Sequence, residues 1–262
     1  MAFDRVELVQ FLRILYLWTR REVAARYAGS LAGALWAVLM PLGNIFLFYF
    51  VFAVVLKVRV PELALEHGYF FYLLSGLLPW MGLAEGVTRA TYALVAQEPL
   101  LQKIAFPVAV FPVAAVLASL LPQLIGMLIF LMLLASSSLL MPSILGLILL
   151  ILCQLAMTCG LGLFLAVLAV GFRDLLHLVP MLVQFLFYAT PVLYPRSMVP
   201  VEFQGWFLFN PFAVLVEGYQ AVFLGLPLPF SSLVALLVWT AVLGGGGLWL
   251  FRALRGAMGD WL

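Results

Sequence analysis

Charged side chains are scarce in this chain and missing from its middle. Only 9% of the 262 residues are charged, and no Asp, Glu, Lys or Arg occurs within residues 104–172. Because 66% of the residues are hydrophobic, they cannot all be enclosed in a water-soluble core. Segments that cross a bilayer must satisfy their backbone groups internally, so the composition predicts an all-α polytopic membrane protein.

Cysteine and histidine are also scarce, which argues against metal and redox centres. Cys153 and Cys159 lie in an uncharged apolar run, so we interpret them as helix-packing residues. The two histidines, His67 and His177, fall on opposite sides of the membrane in the topology below and cannot share a site. The formal charge of +2 is too small to indicate a nucleic-acid partner.

No constellation of nucleophile and base, paired carboxylates or metal ligands is visible, which argues against a hydrolase or transferase. The phosphate-binding GxxxxGK[ST] loop is missing as well, so the chain is not by itself a P-loop ATPase. We therefore expect no cofactor in this chain, and a transporter of this sequence would take its energy from another subunit.

Six apolar segments are long enough to be transmembrane helices. A helix rises ~1.5 Å per residue and the hydrocarbon core is ~30 Å thick, so a crossing needs about 20 residues. The segments are residues 31–56, 69–95, 108–135, 144–170, 178–194 and 233–251. We treat the whole chain as one domain, with residues 1–30 at the cytoplasmic interface, 31–194 holding spans one to five, 195–230 outside, and 231–262 holding the sixth span and a tail.

Basic residues set the orientation. With the N-terminus inside, ten of the thirteen Arg and Lys residues lie on the cytoplasmic side, which favours this orientation with both termini cytoplasmic. No signal peptide is apparent, because basic residues are spread through the first 30 positions. Residues 7–18 have the pattern of an amphipathic helix lying along the inner leaflet; the alternative is an irregular arm.

The segment 195–230 is too aromatic for an ordinary solvated loop. Asn210 and Pro211 predict a helix start, and Gly225 and Pro227 predict its stop, leaving about 14 residues or roughly 21 Å, too short to cross. Residues 203–209 form a still shorter helix. We interpret the pair as two half-inserted, re-entrant helices on the outer side; the alternative is an aromatic interfacial cap.

Three further features carry polar or small residues. Glu85 and Arg89 lie one turn apart on the second span, as a structural ion pair or, alternatively, a substrate contact. GGGG at 244–247 allows a neighbouring helix to approach closely, or else forms a flexible kink.

GFRDLLHLVP at 171–180 is the inner turn between spans four and five. Its polar residues are Arg173, Asp174 and His177; Asp174 can cap the next helix or pair with His177.

Several stretches together resemble one protein family. FRDLLHLVPMLVQFLFYATPVLYP at 172–195 is similar to the membrane subunit of ABC transporters that export polysaccharides, the Wzm-like permeases of O-antigen, capsule and teichoic acid export. Stretches at 26–42, 73–94, 100–120 and 198–225 agree with the family in the same order. The resemblance covers nearly the whole chain.

The resemblance implies a homodimer of six-span subunits in the bacterial inner membrane, with a channel between protomers and one ATPase subunit, which binds ATP and Mg, under each. A lipid-linked polysaccharide, preferably of O-antigen type, would be the substrate. The implied functional residues form four sets. They are the ATPase contact (Glu98, Leu100, Gln102, Lys103), the substrate access site (Arg20, Arg21, Arg26), the channel lining (Trp80, Phe187, Tyr188, Tyr194) and the periplasmic gate (Phe203, Trp206, Phe207, Glu217, Tyr219).

Other functions stay open at this point. A permease of the same superfamily for teichoic acid, capsule or a small molecule is the first alternative. A membrane enzyme acting on lipid-linked sugar and a non-catalytic assembly scaffold are the others.

Overall fold

The computed structural model describes residues 5–27, 33–58, 60, 68–101, 107–136 and 142–256, and within them 86% of the structure is helical with no strand. The helices are α1 (Arg5–Tyr27), α2 (Trp36–Tyr49), α3 (Gly68–Ala93), α4 (Glu98–Leu101), α5 (Val110–Ala135), α6 (Ile144–Gly171), α7 (Leu175–Tyr188), α8 (Val201–Gln204), α9 (Pro211–Leu224), α10 (Phe230–Thr240) and α11 (Gly247–Leu254). The π-helical segment Phe50–Val55 extends α2, and Ala241–Gly246 joins α10 to α11.

Four of these helices are long and apolar enough to cross a membrane: α3, α5, α6 and the continuous Phe230–Leu254. The pair Val201–Phe209 and Pro211–Leu224 would make a fifth if counted as one span, but it is bent by 102°. Leu42–Val55 and α7 are shorter apolar helices. The predicted class, an all-α multi-pass membrane protein, is confirmed.

The fifth apolar segment forms a shorter helix than its composition predicts. α7 ends at Tyr188, and the chain continues in turns through Ala189 to the buried Pro191. Proline has no backbone N–H and disfavours helical geometry in the residue before it, so the helix stops ahead of Pro191. The carbonyls of this turn are satisfied instead by side chains, among them the hydroxyl of Tyr72, which donates to Pro191 O at 2.8 Å.

α9 has the limits that its sequence predicts. The Asn210 side chain accepts hydrogen bonds from the backbone N–H groups of Phe212 and Ala213 at 3.0 and 3.2 Å, which satisfies two of the free donors of the first turn. Gly225 follows the last turn with φ 65°, in the left-handed region that glycine adopts readily. The helix therefore holds 14 residues.

α3 forms the centre of the bundle and packs against α5, α6 and α9. Its glycines allow close approach: a Cβ at Gly82 would lie 1.8 Å from Gln123 Oε1, and one at Gly86 would lie 2.7 Å from Ser119 Oγ. Since α3 is buried over most of its length, apolar side chains of three neighbouring helices share its surface. Its position thus decides where the walls of any cavity lie.

α1 is helical, which answers the choice between a helix and an irregular arm for the N-terminal segment. It packs along α5, and the ring of Trp18 meets that of Phe111 edge-on with centroids 4.7 Å apart. Val9, Leu12 and Tyr16 stay exposed on the other side. The helix therefore has one face on the protein and an exposed face on which these apolar side chains lie beside Gln10 and Arg13.

The four-glycine run is a packing site, which confirms the first of the two interpretations above. A Cβ at Gly247 would lie 2.2 Å from the backbone O of Gly160 in α6, and one at Gly160 would lie 2.1 Å from Leu243 O. By contrast, Gly245 has nothing within 4 Å of its Cβ position. Two of the four glycines thus bring the last span into backbone contact with α6.

The contact between the last span and α6 predicts that a glycine-to-alanine substitution changes stability by different amounts at different positions. Gly160→Ala should destabilise the fold by about 1–3 kcal/mol, because a methyl group there meets backbone atoms that cannot rotate away. Gly245→Ala is the matched control: Gly245 lies in the glycine run but faces open space, so this substitution should be neutral or slightly stabilising. Thermal unfolding of the two purified variants checks this, and equal midpoints would contradict it.

Candidate functional site

A large cavity of about 900 Å³ opens between α3, α5 and α7. Arg26 of α1 and Trp36 of α2 reach its rim. Most of the lining is apolar, and the polar groups are few: Arg26, Glu85, Thr88, Arg89, Ser119, Gln123 and Gln184. A mainly apolar concavity with a few convergent polar groups is the usual form of a ligand site, so we treat this cavity as the candidate site.

One end of the cavity is charged. Glu85 Oε1 lies 2.7 Å from Arg89 Nε and 3.1 Å from Arg26 Nη2, so one carboxylate is shared by two guanidinium groups. The Arg26 side chain is only 5% exposed, whereas Arg89 is 42% exposed. The predicted pair of Glu85 and Arg89 is confirmed, and the cluster as a whole keeps one net positive charge.

No sequence pattern indicates that Arg26 joins this pair. Arg26 and Glu85 are 59 positions apart, and no helical spacing relates them. The only available signal was an acidic residue inside an apolar span, which requires compensation by a partner that the sequence does not specify. The contact depends on α1 packing along α5, which brings Arg26 to Glu85 of α3.

The two other arginines of the predicted access site do not line the cavity. Arg20 and Arg21 are exposed on α1, and the Arg21 guanidinium lies over the ring of Trp18 at 4.4 Å. This cation–π contact holds Arg21 along the surface of the helix. Of the three arginines, only Arg26 reaches the cavity.

The four predicted channel aromatics gather in one cluster. Phe187 lies 5.5 Å from Trp80 and 5.3 Å from Tyr188 between ring centroids, and the Tyr194 hydroxyl donates to Tyr188 O at 2.7 Å. Trp80 and Phe187 are buried, whereas Tyr188 is 56% exposed. Trp80 also lines the cavity. Phe187 packs behind it, and Tyr188 offers a ring face to the outside.

The predicted gate residues take different positions around α8 and α9. Phe203 and Trp206 are exposed, with rings 6.1 Å apart. Glu217 Oε2 lies 3.5 Å from Arg196 Nη1, and the guanidinium of Arg196 lies 5.7 Å from the centroid of the buried Phe207 ring. Tyr219 is fully buried in the bundle and donates to Gln154 Oε1 at 2.7 Å. The structure thus joins Glu217 and Phe207 through Arg196 and places Tyr219 elsewhere.

The short helix α4 touches the turn between α6 and α7. Arg173 Nη2 donates to Glu98 Oε2 at 2.9 Å, a contact that the sequence did not indicate. Asp174 occupies the N-cap position of α7 without a side-chain capping bond, and His177 is exposed. Leu100 is half-buried on α4, while Gln102 and Lys103 lie outside the described residues.

Comparison with known proteins gives the family. Residues 14–224 match the ABC-2 type transporter family. The chain belongs to this family. Membership makes it a transporter subunit rather than an enzyme, as the sequence predicted.

The chain is similar to known permeases over about nine-tenths of its length. It is 27% identical over 244 residues to the O-antigen export system permease protein RfbA of Klebsiella pneumoniae, covering 92% of each chain. It is 32% identical over 251 residues to the RfbA permease of Myxococcus xanthus, covering 90% of this chain and 92% of the relative. It is 25% identical over 241 residues to the polysialic acid transport protein KpsM of Escherichia coli, with 91% and 92% covered. The resemblance to polysaccharide-export permeases is confirmed.

The shared carboxylate predicts a local effect on α1 of the ABC-2 transporter. Glu85→Gln should weaken the docking of α1 by about 1–2 kcal/mol, less than the ~3–5 kcal/mol of a fully buried pair because Glu85 is partly exposed to water. Amide hydrogen exchange near Arg26 should then be roughly tenfold faster, while exchange within α6 stays unchanged. Glu202→Gln, at an exposed position, is the control; unchanged exchange in α1 of the Glu85 variant would contradict the role of this pair.

Proposed function

We propose that this chain is the permease subunit of an ABC exporter that moves a lipid-linked polysaccharide, of O-antigen type, across the bacterial inner membrane. The observation that carries the proposal is the similarity over nine-tenths of each chain to permeases named for O-antigen and polysialic acid export. A separate ATPase subunit, holding ATP and Mg, supplies the energy, since the sequence has no phosphate-binding loop.

The proposed topology has six spans with both termini in the cytoplasm. α2 with its π-helical extension covers 36–55, about 30 Å at ~1.5 Å per residue, which is long enough for a first span. α7 and the turns after it supply the fifth. The ten-to-three distribution of Arg and Lys supports the orientation, and the exposed apolar side chains of α1 suit the inner leaflet.

The cavity between α3, α5 and α7 is the proposed path for the substrate on the cytoplasmic half of the membrane. Its charged cluster lies near the end of α3 that leads to α4, and its volume of about 900 Å³ admits a pyrophosphate with the first sugars. Aromatic faces such as that of Tyr188 give sliding contact without fixed hydrogen-bond pockets. A channel that passes many repeats needs such weak contacts.

The bent pair α8 and α9 is the proposed periplasmic gate. Its 102° bend and its 14-residue second arm suit two half-inserted helices. Phe203 and Trp206 are exposed where a second protomer would lie across the channel, and the Arg196–Glu217 ion pair links the loop before α8 to α9. We propose that the channel forms between two copies of the chain, each with one ATPase subunit beneath it.

α4 is the proposed contact with the ATPase. It projects from the cytoplasmic ends of α3 and α5 in the proposed topology, and Glu98 and Leu100 lie on it. The ion pair with Arg173 connects this helix to the start of α7, so a movement of α4 reaches a second span directly.

Charge reversal tests this contact. Glu98→Arg should reduce co-purification of the ATPase about two- to fivefold, because it replaces an attraction to Arg173 by a repulsion and displaces α4. The double variant Glu98→Arg with Arg173→Glu restores the pair with the charges exchanged and should recover most of the binding. Glu202→Arg, on the other side of the membrane, is the control for a change in net charge.

Two results of the charge reversal would change this assignment: the first removes it, and the second alters the way in which Glu98 acts. Full co-purification of the ATPase by the single variant removes α4 from the interface. A double variant that binds no better than the single one means that Glu98 touches the ATPase itself, instead of acting through Arg173.

Gene deletion tests the substrate. Loss of this chain should abolish display of the host's surface polysaccharide while the lipid-linked glycan accumulates inside the cell, and the full chain supplied in trans should restore display. Deletion that leaves the glycan in place and alters drug sensitivity would indicate a small-molecule exporter. ATP hydrolysis by the isolated chain would refute the division into permease and ATPase subunits.

A further inference from the structure

A second, apolar groove runs along the outer surface of the bundle between α2, α3 and α5. It has a volume of about 350 Å³, and its floor is made by the buried Leu74 and Leu78. Phe46, Ile125 and Ile129 form its exposed edges. Gly126 has no side chain to fill it, and a Cβ there would lie 2.6 Å from Leu78 Cδ2. The groove therefore lies over a close contact between α3 and α5, which the missing side chain of Gly126 makes possible.

The apolar groove meets the charged cavity. Leu78 and Pro122 line both, so the two spaces adjoin at the middle of α3 and α5. At the far end Tyr49 and Phe70 close the groove with rings edge-on and centroids 5.4 Å apart. Arg89 and Phe70 are 19 positions apart on α3, about 28 Å at ~1.5 Å per residue, nearly the ~30 Å depth of a hydrocarbon core.

The charged cavity and the apolar groove differ in chemistry. The cavity carries Arg26 and Arg89 around one carboxylate, with one net positive charge, and Arg89 keeps 42% of its side chain exposed for a further anion. All twelve residues of the apolar groove are apolar apart from the hydroxyl of Tyr49. Arginine forms strong, geometrically fixed bonds to phosphate oxygens, whereas the groove offers only apolar contact.

We propose that the charged cavity and the apolar groove together bind the lipid carrier of the substrate, a polyprenyl phosphate. Its phosphate groups lie at Arg26 and Arg89, and its hydrocarbon chain lies along α3 as far as Tyr49. This inference rests on the proposed function, and it adds the place where the carrier sits during transport. A single narrow groove suits the one chain of a polyprenyl lipid. A second copy of the protein would leave the cationic end unmatched, and a two-chain phospholipid would leave one chain outside.

Glu85 then has a specific part in binding. It holds both arginines at the mouth of the cavity while the site is empty, and an arriving phosphate competes with it for Arg89, the more exposed of the two. The carboxylate thus keeps the site from binding phosphate permanently, as a transporter needs. Arg26, almost fully buried, remains with Glu85 and keeps α1 in place.

Photo-crosslinking of the permease–ATPase complex in phosphatidylcholine nanodiscs tests the site. The probe is a polyprenyl phosphate short enough for its chain to end inside the groove, with a photoreactive group at that end, and the labelled peptides should fall within 42–49 and 125–133. Competition with polyprenol, phosphatidylglycerol and inorganic pyrophosphate, each in excess, separates the contribution of the polyprenyl chain from that of the phosphate groups. Only unlabelled polyprenyl phosphate should displace the probe fully.

Two neighbouring positions on α5 give a matched pair of variants. Ile129→Trp fills the groove and should reduce labelling about tenfold, whereas Leu128→Trp, exposed on α5 but outside the groove, should not change it. Arg89→Gln should remove the advantage of polyprenyl phosphate over polyprenol, again about tenfold. If a tryptophan variant fails to fold, labelling of the unaltered complex still shows whether the groove binds the probe.

Three results would overturn the inference. They are labelling spread over all exposed apolar helices, full displacement of the probe by phosphatidylglycerol, and crosslinks at Phe46 that join two copies of the chain instead of lipid. The result of the gene deletion stands apart from these. If glycan display depends on the chain while the groove takes no label, only this inference falls; a labelled groove without loss of glycan display leaves the carrier site and removes the proposed substrate.

Discussion

The arrangement of the bundle depends on two glutamine side chains buried among apolar helices. Gln123 of α5 and Gln154 of α6 exchange hydrogen bonds of 2.8 Å, Gln154 Nε2 also donates to Pro79 O of α3, and the hydroxyl of Tyr219 of α9 donates to Gln154 Oε1. Each such bond between membrane helices contributes only about 0.6 kcal/mol, up to ~1.7 kcal/mol. An amide left without partners in an apolar interior costs more, so the four helices are held at one rotation in which every amide has a partner.

The cavity and its charges follow from this rotation. With Gln123 against Gly82, α5 lies so close to α3 that Ser119 and Gly86 also meet one turn further along. Glu85 and Arg89, on the adjoining face of α3, are left facing an open space in place of a helix. α1 packs along α5 and brings Arg26 to the carboxylate. The charged groups Arg26, Glu85 and Arg89 therefore lie where the bundle opens, whereas the Gln123–Gln154 bonds lie where α5 and α6 pack against α3.

Local chemistry made several features predictable. The limits of α9 follow from Asn210, Pro211 and Gly225, because a cap and a left-handed residue act within one turn of the backbone. The pair Glu85 and Arg89 follows from a spacing of one helical turn. The seam of the last span follows from glycines that remove side chains. Each of these inferences needed only residues within a few positions of one another.

Length and composition thus determined that the chain is helical and crosses a membrane several times, and the local sequence at Asn210, Pro211 and Gly225 determined where α9 begins and ends. Only the tertiary structure decided which distant residues meet: Arg26 with Glu85, Arg173 with Glu98, Arg196 with Glu217, and Gln123 with Gln154. It also decided that Tyr219 faces the core instead of the gate. A uniformly apolar span has little periodicity to show which side faces lipid, so the rotation of each helix is set by a few polar and small residues on its neighbours, and no spacing along one segment contains that information.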